Sequence, residues 1–267
     1  MAGTTMLEQA RTALKESSAR TAALVESLPD TSAAIPGSNW TVREAGVHLV
    51  NVGFCYAGMA RGEPLGYGSL TPEECARMNE QRIADIPESD PVKLAALIQQ
   101  GTERLLDASA RCHEEDEVLW HCQTHIPIPH LLAIAAAEHL VHGYDIALAV
   151  RQPWPITAAQ AGLALFGYGV AYGLCLNPAT TAGHTAGYGI EFTTGERFII
   201  RFVDGEYRLE PPDSGPVDCT LTAHPTAFLL VGSGRLSQWE AIALGVMEVG
   251  GDRPDLALEF GDRFLFP

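Results

Sequence analysis

Apolar residues recur every three or four positions through most of the first half of the chain, which is the period of an amphipathic α-helix. Residues 4–28 show this period, and Pro29 follows them. From about residue 129 to residue 150 the chain is apolar on almost every side, which is typical of a buried helix. Several long helices with short connections predict an up-and-down four-helix bundle.

Helix start signals divide this half of the chain further. Thr41 and Glu44 have the spacing of a capping box, in which each side chain satisfies a free amide of the first turn, and we expect this helix to continue to about Arg61. A proline at the first helical position marks two more starts, at Thr71-Pro72 and at Asp90-Pro91. The second of these helices should reach about Arg111. Residues 112–129 follow no regular period.

The pattern changes at residues 151–155, which read Arg-Gln-Pro-Trp-Pro. A helix is predicted over residues 157–176. Strand-like runs follow at 189–193, 197–203, 207–210 and 219–223. Thr194-Gly195 and Asp204-Gly205 separate three of these runs and are hairpin signals. Short helices are predicted at 225–231, at 237–244 and from Asp255 onward.

The fold class that follows is α+β with two domains. The first, residues 1–152, is the helical bundle. The second, residues 153–267, is an antiparallel sheet with helices on one face.

Composition narrows the classes of partner. The 267 residues are 46% hydrophobic and 19% charged, with a formal net charge of −16 and no stretch rich in Lys or Arg. Such a chain repels phosphate backbones, which argues against a nucleic-acid partner. No uncharged apolar run of about 18 residues occurs, and the first residues lack the basic start and apolar stretch of a secretory signal. We therefore expect a cytoplasmic protein with no membrane partner.

Glu138 and His142 lie four residues apart inside the apolar run, so their side chains share one helix face. A buried carboxylate beside an imidazole needs compensation, which a bound metal ion supplies. His48, in the apolar helix that begins at Thr41, is the natural third ligand. A His, Glu and His set leaves one tetrahedral position open, which is typical of catalytic zinc. The alternative is that these are hydrogen-bonded core residues without a metal.

Other polar residues lie near these candidates in the sequence. Asn51 and Asp145 each follow a candidate histidine by three positions, where they could orient its imidazole or bond to another helix. His139 is about 100° around the helix from Glu138, so we expect it to be an interhelical or surface residue. Alternative ligands, or residues at a cavity mouth, are His121, His125 and His130.

Two stretches of the chain resemble the signatures of a known family. They are Trp40-Thr41-Val42-Arg43-Glu44 followed by His48-Leu49, and the run from Glu138 to Ala147. Both look like the signatures of the mycothiol-dependent maleylpyruvate isomerase family, a branch of the DinB-like metal-binding bundles. Gly234-Arg235, residues 241–245 and residues 249–252 are similar to the sterol-carrier-protein-like domain that often follows this bundle in actinobacterial proteins.

The resemblance implies a thiol-dependent metalloenzyme. A divalent metal, usually zinc, would be held by His48, Glu138 and His142, and mycothiol would take the open position as a thiolate. Thiolate addition to a small electrophile would then give either cis–trans isomerisation of an activated alkene or thiol transfer. For an anionic substrate our candidate catalytic cations are Arg235 and Arg253, because each adjoins a Gly-containing turn.

Two other functions stay open. Metal-bound water or hydroxide could act on a polar bond with the same three ligands and no thiol. The second domain could instead bind an apolar ligand while the metal only stabilises the bundle. The small and aromatic residues of segment 166–173 suit either core packing or an apolar tunnel. We interpret Arg43 as part of a helix start and Arg82 as surface charge. Residues 122–130 match no family motif and precede the metal helix, where they would shape a substrate pocket.

Overall fold

The computed structural model describes residues 4–63 and 72–265. The chain divides into two compact units. The first comprises Met1–Ile156 together with Phe166–Tyr168, and the second comprises Thr157–Leu165 and Gly169–Pro267. The boundary expected from the sequence, between residues 152 and 153, lies close to Ile156.

Long helices build the first unit: α1 (Met6–Glu26), α2 (Val42–Ala60), α3 (Pro72–Asp85), α4 (Pro91–Ala108) and α5 (Ile128–Ala149). Helix α1 packs against α4 and α5, and α2 packs against the same two helices, which confirms the predicted four-helix bundle. Helix α3 is added to the outside of this bundle against α2.

Local sequence signals start most of these helices. Thr41 and Glu44 form the predicted capping box of α2. The Asp90 carboxylate accepts a hydrogen bond from the Lys93 amide at 3.0 Å and so caps α4. Thr71 lies outside the described residues. Helix α4 ends at Ala108, one turn before the predicted end.

The bundle core is made of apolar side chains and close backbone contacts. Among the described residues α5 alone is long and apolar enough to cross a membrane, yet 78% of that stretch is buried inside the protein, as expected of a core helix. Helices α2 and α4 approach closely at two glycines. A Cβ atom added to Gly53 would lie 2.5 Å from the carbonyl carbon of Gly101, so no side chain fits between the two backbones.

A short hairpin occupies the segment that we predicted to be irregular. Strands β1 (Glu117–Leu119) and β2 (His125–Pro127) pair in antiparallel fashion. They are joined by a 3₁₀ turn, His121–Gln123, in which Cys122 and Gln123 have φ values of 53° and 61°. Because non-glycine residues rarely adopt this left-handed conformation, the turn holds two strained residues in succession.

The second unit begins with helix α6 (Ala158–Tyr172), which starts at a Thr157 capping box and ends four residues before the predicted Leu176. Its sheet contains strands β3 (Ala186–Phe192), β4 (Arg197–Val203), β5 (Glu206–Glu210), β6 (Cys219–Ala223) and β7 (Met247–Gly250). Their order in the sheet is β5-β4-β3-β6-β7. Every adjacent pair is antiparallel except β3 with β6, which are parallel. The sheet is therefore mostly antiparallel, as predicted, and β7 is an additional strand.

Short helices complete this unit: α7 (Pro178–Thr181), α8 (Pro225–Gly232), α9 (Gln238–Ala243) and α10 (Pro254–Leu258). The last of these replaces the longer amphipathic helix expected from Asp255, because the chain continues as a 3₁₀ turn over Phe260–Arg263. Aromatic rings fill the space between helices and sheet, including Tyr188 and Phe202 of the strands and Phe260 and Phe264 near the C-terminus.

Candidate metal centre

Helix α2 carries His48 into the bundle. The Thr41 amide donates to Glu44 Oε2 at 2.6 Å in the first turn. The Arg43 guanidinium donates to the carbonyls of Ile86 and Glu88 at 2.5 and 3.1 Å. These contacts fix the start of α2 relative to the end of α3, so that His48 lies buried one turn further along.

Helix α5 contributes Glu138 and His142 from successive turns of one face. Glu138 Oε2 lies 3.0 Å from His48 Nε2 and 3.4 Å from His142 Nε2. One ligand atom from each of the three residues falls within 4.8 Å of the others. The structure thus brings together the three residues that the sequence singled out as metal ligands.

Three further side chains hold this cluster. His142 Nδ1 donates to Asp145 Oδ2 at 3.0 Å, because an ionised carboxylate can only accept. The Tyr168 hydroxyl donates to Glu138 Oε1 at 2.9 Å. The Trp40 ring lies beside both imidazoles, with centroids 5.2 Å from His48 and 5.6 Å from His142.

Tyr168 was missed by sequence reasoning, which treated its segment as packing or an apolar tunnel. Asn51 was expected to orient an imidazole. Its amide nitrogen is buried without a hydrogen-bond partner among the described residues, so that role stays a prediction.

Hydrogen bonds within the cluster favour the ionised forms of Glu138 and His142 despite their burial. Burial favours the neutral form of Glu138, yet hydrogen bonds from His142 and His48 hold its pKa well below the ordinary value. Burial also lowers the pKa of His142, but hydrogen bonds to Asp145 and Glu138 outweigh this and raise the pKa above its ordinary value. These hydrogen bonds therefore favour the ionised form of the Glu138 carboxylate and the protonated form of the His142 imidazole.

The donor set fits a divalent metal ion. A tetrahedral ion with bonds of about 2.1 Å separates its donor atoms by about 3.4 Å, and the distances from Glu138 Oε2 to the two imidazole nitrogens are 3.0 and 3.4 Å. Asp145 fixes the proton of His142 on Nδ1, which leaves Nε2 to coordinate. Two nitrogens and one oxygen then leave a fourth position for a small molecule.

A second polar group lies beside these donors within the first unit. His121 interacts electrostatically with Glu138, His48 and Arg82, and burial lowers its pKa to about 4, so its imidazole is neutral near pH 7. The Arg82 guanidinium donates to the sulfur of the buried Cys55. The interpretation of Arg82 as surface charge was therefore wrong, since the helix on which it lies packs against α2.

The remaining histidines of the bundle do not join the donor cluster in the part of the chain that the structure describes. His125 is exposed on β2, and the His130 ring packs against Phe166 with centroids 4.0 Å apart. His139 is interhelical, one of the two placements expected for it. It is 1% exposed, and its Nε2 lies 3.4 Å from the hydroxyl of Thr102 on α4.

Arg235 and Arg253 both belong to the second unit. Arg253 is exposed and forms an ion pair with Asp255, with 2.6 Å between Nη2 and Oδ2. Arg235 donates to the backbone carbonyl of Ser233 at 2.5 Å. Their assignment as catalytic residues stays a prediction.

Comparison with known proteins gives matches to both units. The model of the mycothiol maleylpyruvate isomerase N-terminal domain matches residues 14–147, just over half of the chain. The model of the SCP-2 sterol transfer family matches residues 178–261. A search of curated proteins finds no significant match.

Two solved structures resemble most of the chain. They are crystal structures of the mycothiol-dependent maleylpyruvate isomerase and of a mutant of it, with TM-scores of 0.54 and 0.55. Each is 16% identical to this chain and covers 88% of it, and 94% and 93% of the respective solved chains are matched. At this identity the likeness shows a shared fold over both units.

Proposed function

Because the chain belongs to the mycothiol maleylpyruvate isomerase family, we propose that it is a metal-dependent enzyme that uses a low-molecular-weight thiol. Mycothiol is the proposed thiol. The proposed reaction is cis–trans isomerisation of an activated alkene, with maleylpyruvate as its narrowest form, or transfer of the thiol to a small electrophile. His48, Glu138 and His142 are the proposed ligands, and zinc is the ion that this donor set favours.

The convergence of these three side chains carries the proposal. Their donor atoms come from α2 and α5, ninety positions apart in the sequence, and meet within 4.8 Å. The exposed fractions of the His48, Glu138 and His142 side chains are 11%, 17% and 12%. An ionised carboxylate at such depth is costly unless cations face it, which a metal and its imidazole ligands provide.

A divalent ion bound here would hold a coordinating thiol as its thiolate near neutral pH. The residues of the chain prepare the site for that ligand. Asp145 accepts the Nδ1 proton of His142 in a hydrogen bond, so that Nε2 is the nitrogen that faces the proposed metal position. The Trp40 ring packs beside the two imidazoles. His121 is neutral near pH 7 and adds no positive charge to the site. The negative charge of a bound thiolate and substrate would therefore be balanced by the metal and by cationic side chains.

Arg235 and Arg253 are our proposed cations for an anionic substrate. Arg253 is already paired with Asp255, so a substrate carboxylate would compete with that pair. Arg235 donates to the backbone carbonyl of Ser233.

One cavity of the second unit is too small for the apolar ligand of the alternative function. A cavity among aromatic residues of α6, α8 and the C-terminal segment measures about 20 Å³, which is room for about one water molecule. Pockets for small organic ligands measure roughly 300–1,000 Å³. The rings of Tyr172, Phe228, Phe260 and Phe264 line this cavity and occupy the space that such a ligand would need.

The test is an assay of zinc-loaded protein with maleylpyruvate, with and without mycothiol. We expect turnover only when both metal and thiol are present. Turnover that is equal without thiol would instead favour metal-bound water as the reactive species. Absence of any thiol dependence in fully loaded protein, with maleylpyruvate and with a chlorinated electrophile, would overturn the proposal.

Ligand variants test the site separately from the reaction. His48→Ala, Glu138→Ala and His142→Ala should each lose most of the bound metal while helical content, measured by circular dichroism, stays largely unchanged. His125→Ala, which removes an exposed imidazole, should keep its metal. Full metal occupancy in His142→Ala would show that the ligand assignment is wrong.

A further inference from the structure

Glu138 is held at both carboxylate oxygens by different partners. Oε2 faces the two imidazole nitrogens, at 3.0 Å from His48 and 3.4 Å from His142. Oε1 accepts a hydrogen bond from the Tyr168 hydroxyl at 2.9 Å. One oxygen is therefore directed at the proposed metal position, and the other is directed at a phenol.

Backbone contact places Tyr168. A Cβ atom added to the preceding residue, Gly167, would lie 2.7 Å from the amide nitrogen of Ile134 and 2.8 Å from the carbonyl carbon of Ala133. The Phe166 ring packs on His130 at the same contact. These residues of α5 lie one and two turns before Glu138, so three consecutive residues of segment 166–168 dock along a single face of α5. The Tyr168 phenol thus reaches Glu138 from a backbone segment that is packed directly against α5.

We propose that Tyr168 is a positioning residue that keeps Glu138 a one-oxygen ligand of the metal and so keeps the fourth coordination position open. This inference rests on the proposed metal site. A carboxylate can bind a metal through one oxygen or through both. The two modes are related by a small rotation within the plane of the carboxylate. The Tyr168 hydrogen bond opposes that rotation, because the second oxygen would have to leave its donor in a buried site.

Removal of the hydroxyl should therefore change the coordination number more than the fold. In Tyr168→Phe the ring remains, and Oε1 is free to turn toward the metal. A two-oxygen carboxylate would then occupy the position that a thiol needs. Loss of an outer hydrogen bond to a ligand typically costs roughly 10–100-fold in metal affinity or activity.

The experiment uses the full chain loaded with Co²⁺, whose visible absorption is stronger in four-coordinate than in five-coordinate sites. Wild type should show the intense four-coordinate spectrum and respond to added mycothiol. Tyr168→Phe should show a weaker spectrum and require at least tenfold more mycothiol for the same response. Tyr172→Phe, which removes a hydroxyl one turn further along α6, should match wild type.

A second measurement needs no variant. The infrared splitting between the two carboxylate stretches of zinc-loaded wild type reports whether Glu138 binds through one oxygen or two, with Glu138→Gln as the reference for its bands. One-oxygen binding is expected, and two-oxygen binding in wild type would overturn the inference. The inference would also be overturned if Tyr168→Phe kept the wild-type cobalt spectrum and the wild-type response to thiol. Failure of wild type to bind Co²⁺ at all would overturn the proposed function together with this inference.

Discussion

Acid should destabilise the bundle through His139. Its imidazole is buried between helices, with the Thr102 hydroxyl as its neighbour, and burial lowers its pKa from about 6.5 to about 3. Because the unfolded chain binds a proton at this residue near pH 6.5 and the folded chain does not, the unfolded state holds more protons between about pH 3 and 6.5. The free energy of unfolding therefore rises with pH through this range and falls on acidification.

The size of the effect follows from the two pKa values. Each pKa unit corresponds to about 1.4 kcal/mol, so the full cost of a neutral His139 is on the order of 5 kcal/mol and is reached only below about pH 3. At about pH 5, linkage gives a loss of about 2 kcal/mol relative to about pH 7. This is large against the ordinary stability of a domain, about 5–15 kcal/mol.

The assay compares wild type with His139→Leu, whose side chain has a similar size and does not titrate. Urea unfolding of both proteins, followed by circular dichroism with a chelator present, is measured near pH 7 and near pH 5. Wild type should lose about 2 kcal/mol more than the variant between the two conditions, since the other titrating groups are common to both. His113→Leu controls for loss of an exposed imidazole. Equal losses in wild type and His139→Leu would refute the reasoning.

Three further outcomes follow from the structure. Gly53→Ala should destabilise the bundle by about 1–3 kcal/mol in urea unfolding, because its Cβ would meet the backbone of Gly101. Gly162→Ala, whose Cβ would meet nothing within 4 Å, should instead stabilise its helix by about 0.5–1 kcal/mol. Equal effects of the two substitutions would contradict the close contact at Gly53. Asp145→Asn should weaken zinc binding roughly 10–100-fold in a chelator competition, and an unchanged affinity would show that Asp145 does not orient His142. Zinc affinity should fall about tenfold per pH unit below the raised pKa of His142, because the metal must displace that proton; a pH-independent affinity would contradict this.

The helices and the three donor residues were predictable because their signals are local. The Thr41 capping box and the apolar run around Glu138 each lie within a few consecutive residues, and the four-residue spacing to His142 places both side chains on one face. His48 was found because an imidazole among apolar helical positions is unusual. Such information does not depend on how distant segments meet.

Features that depend on distant contacts were not predictable. Tyr168 reaches Glu138 only because Gly167 lets two backbones touch, and no spacing in the sequence encodes that partner. Strands β1 and β2 have three residues each, too few to show an alternating pattern. Their turn lacks the glycine or asparagine that normally marks positive φ. The parallel pairing of β3 with β6 likewise depends on a crossover rather than on a hairpin signal.

Trp40 gives the candidate centre an optical reporter of its own. Its indole lies about as close to His48 as to His142, and aromatic faces attract positive charge. When a metal ion replaces the proton of His142, the positive charge near the indole becomes that of the ion. Occupancy of the centre should therefore alter the fluorescence of this indole, so that metal and thiol binding can be followed in the unlabelled protein, with Trp40→Phe as the blank.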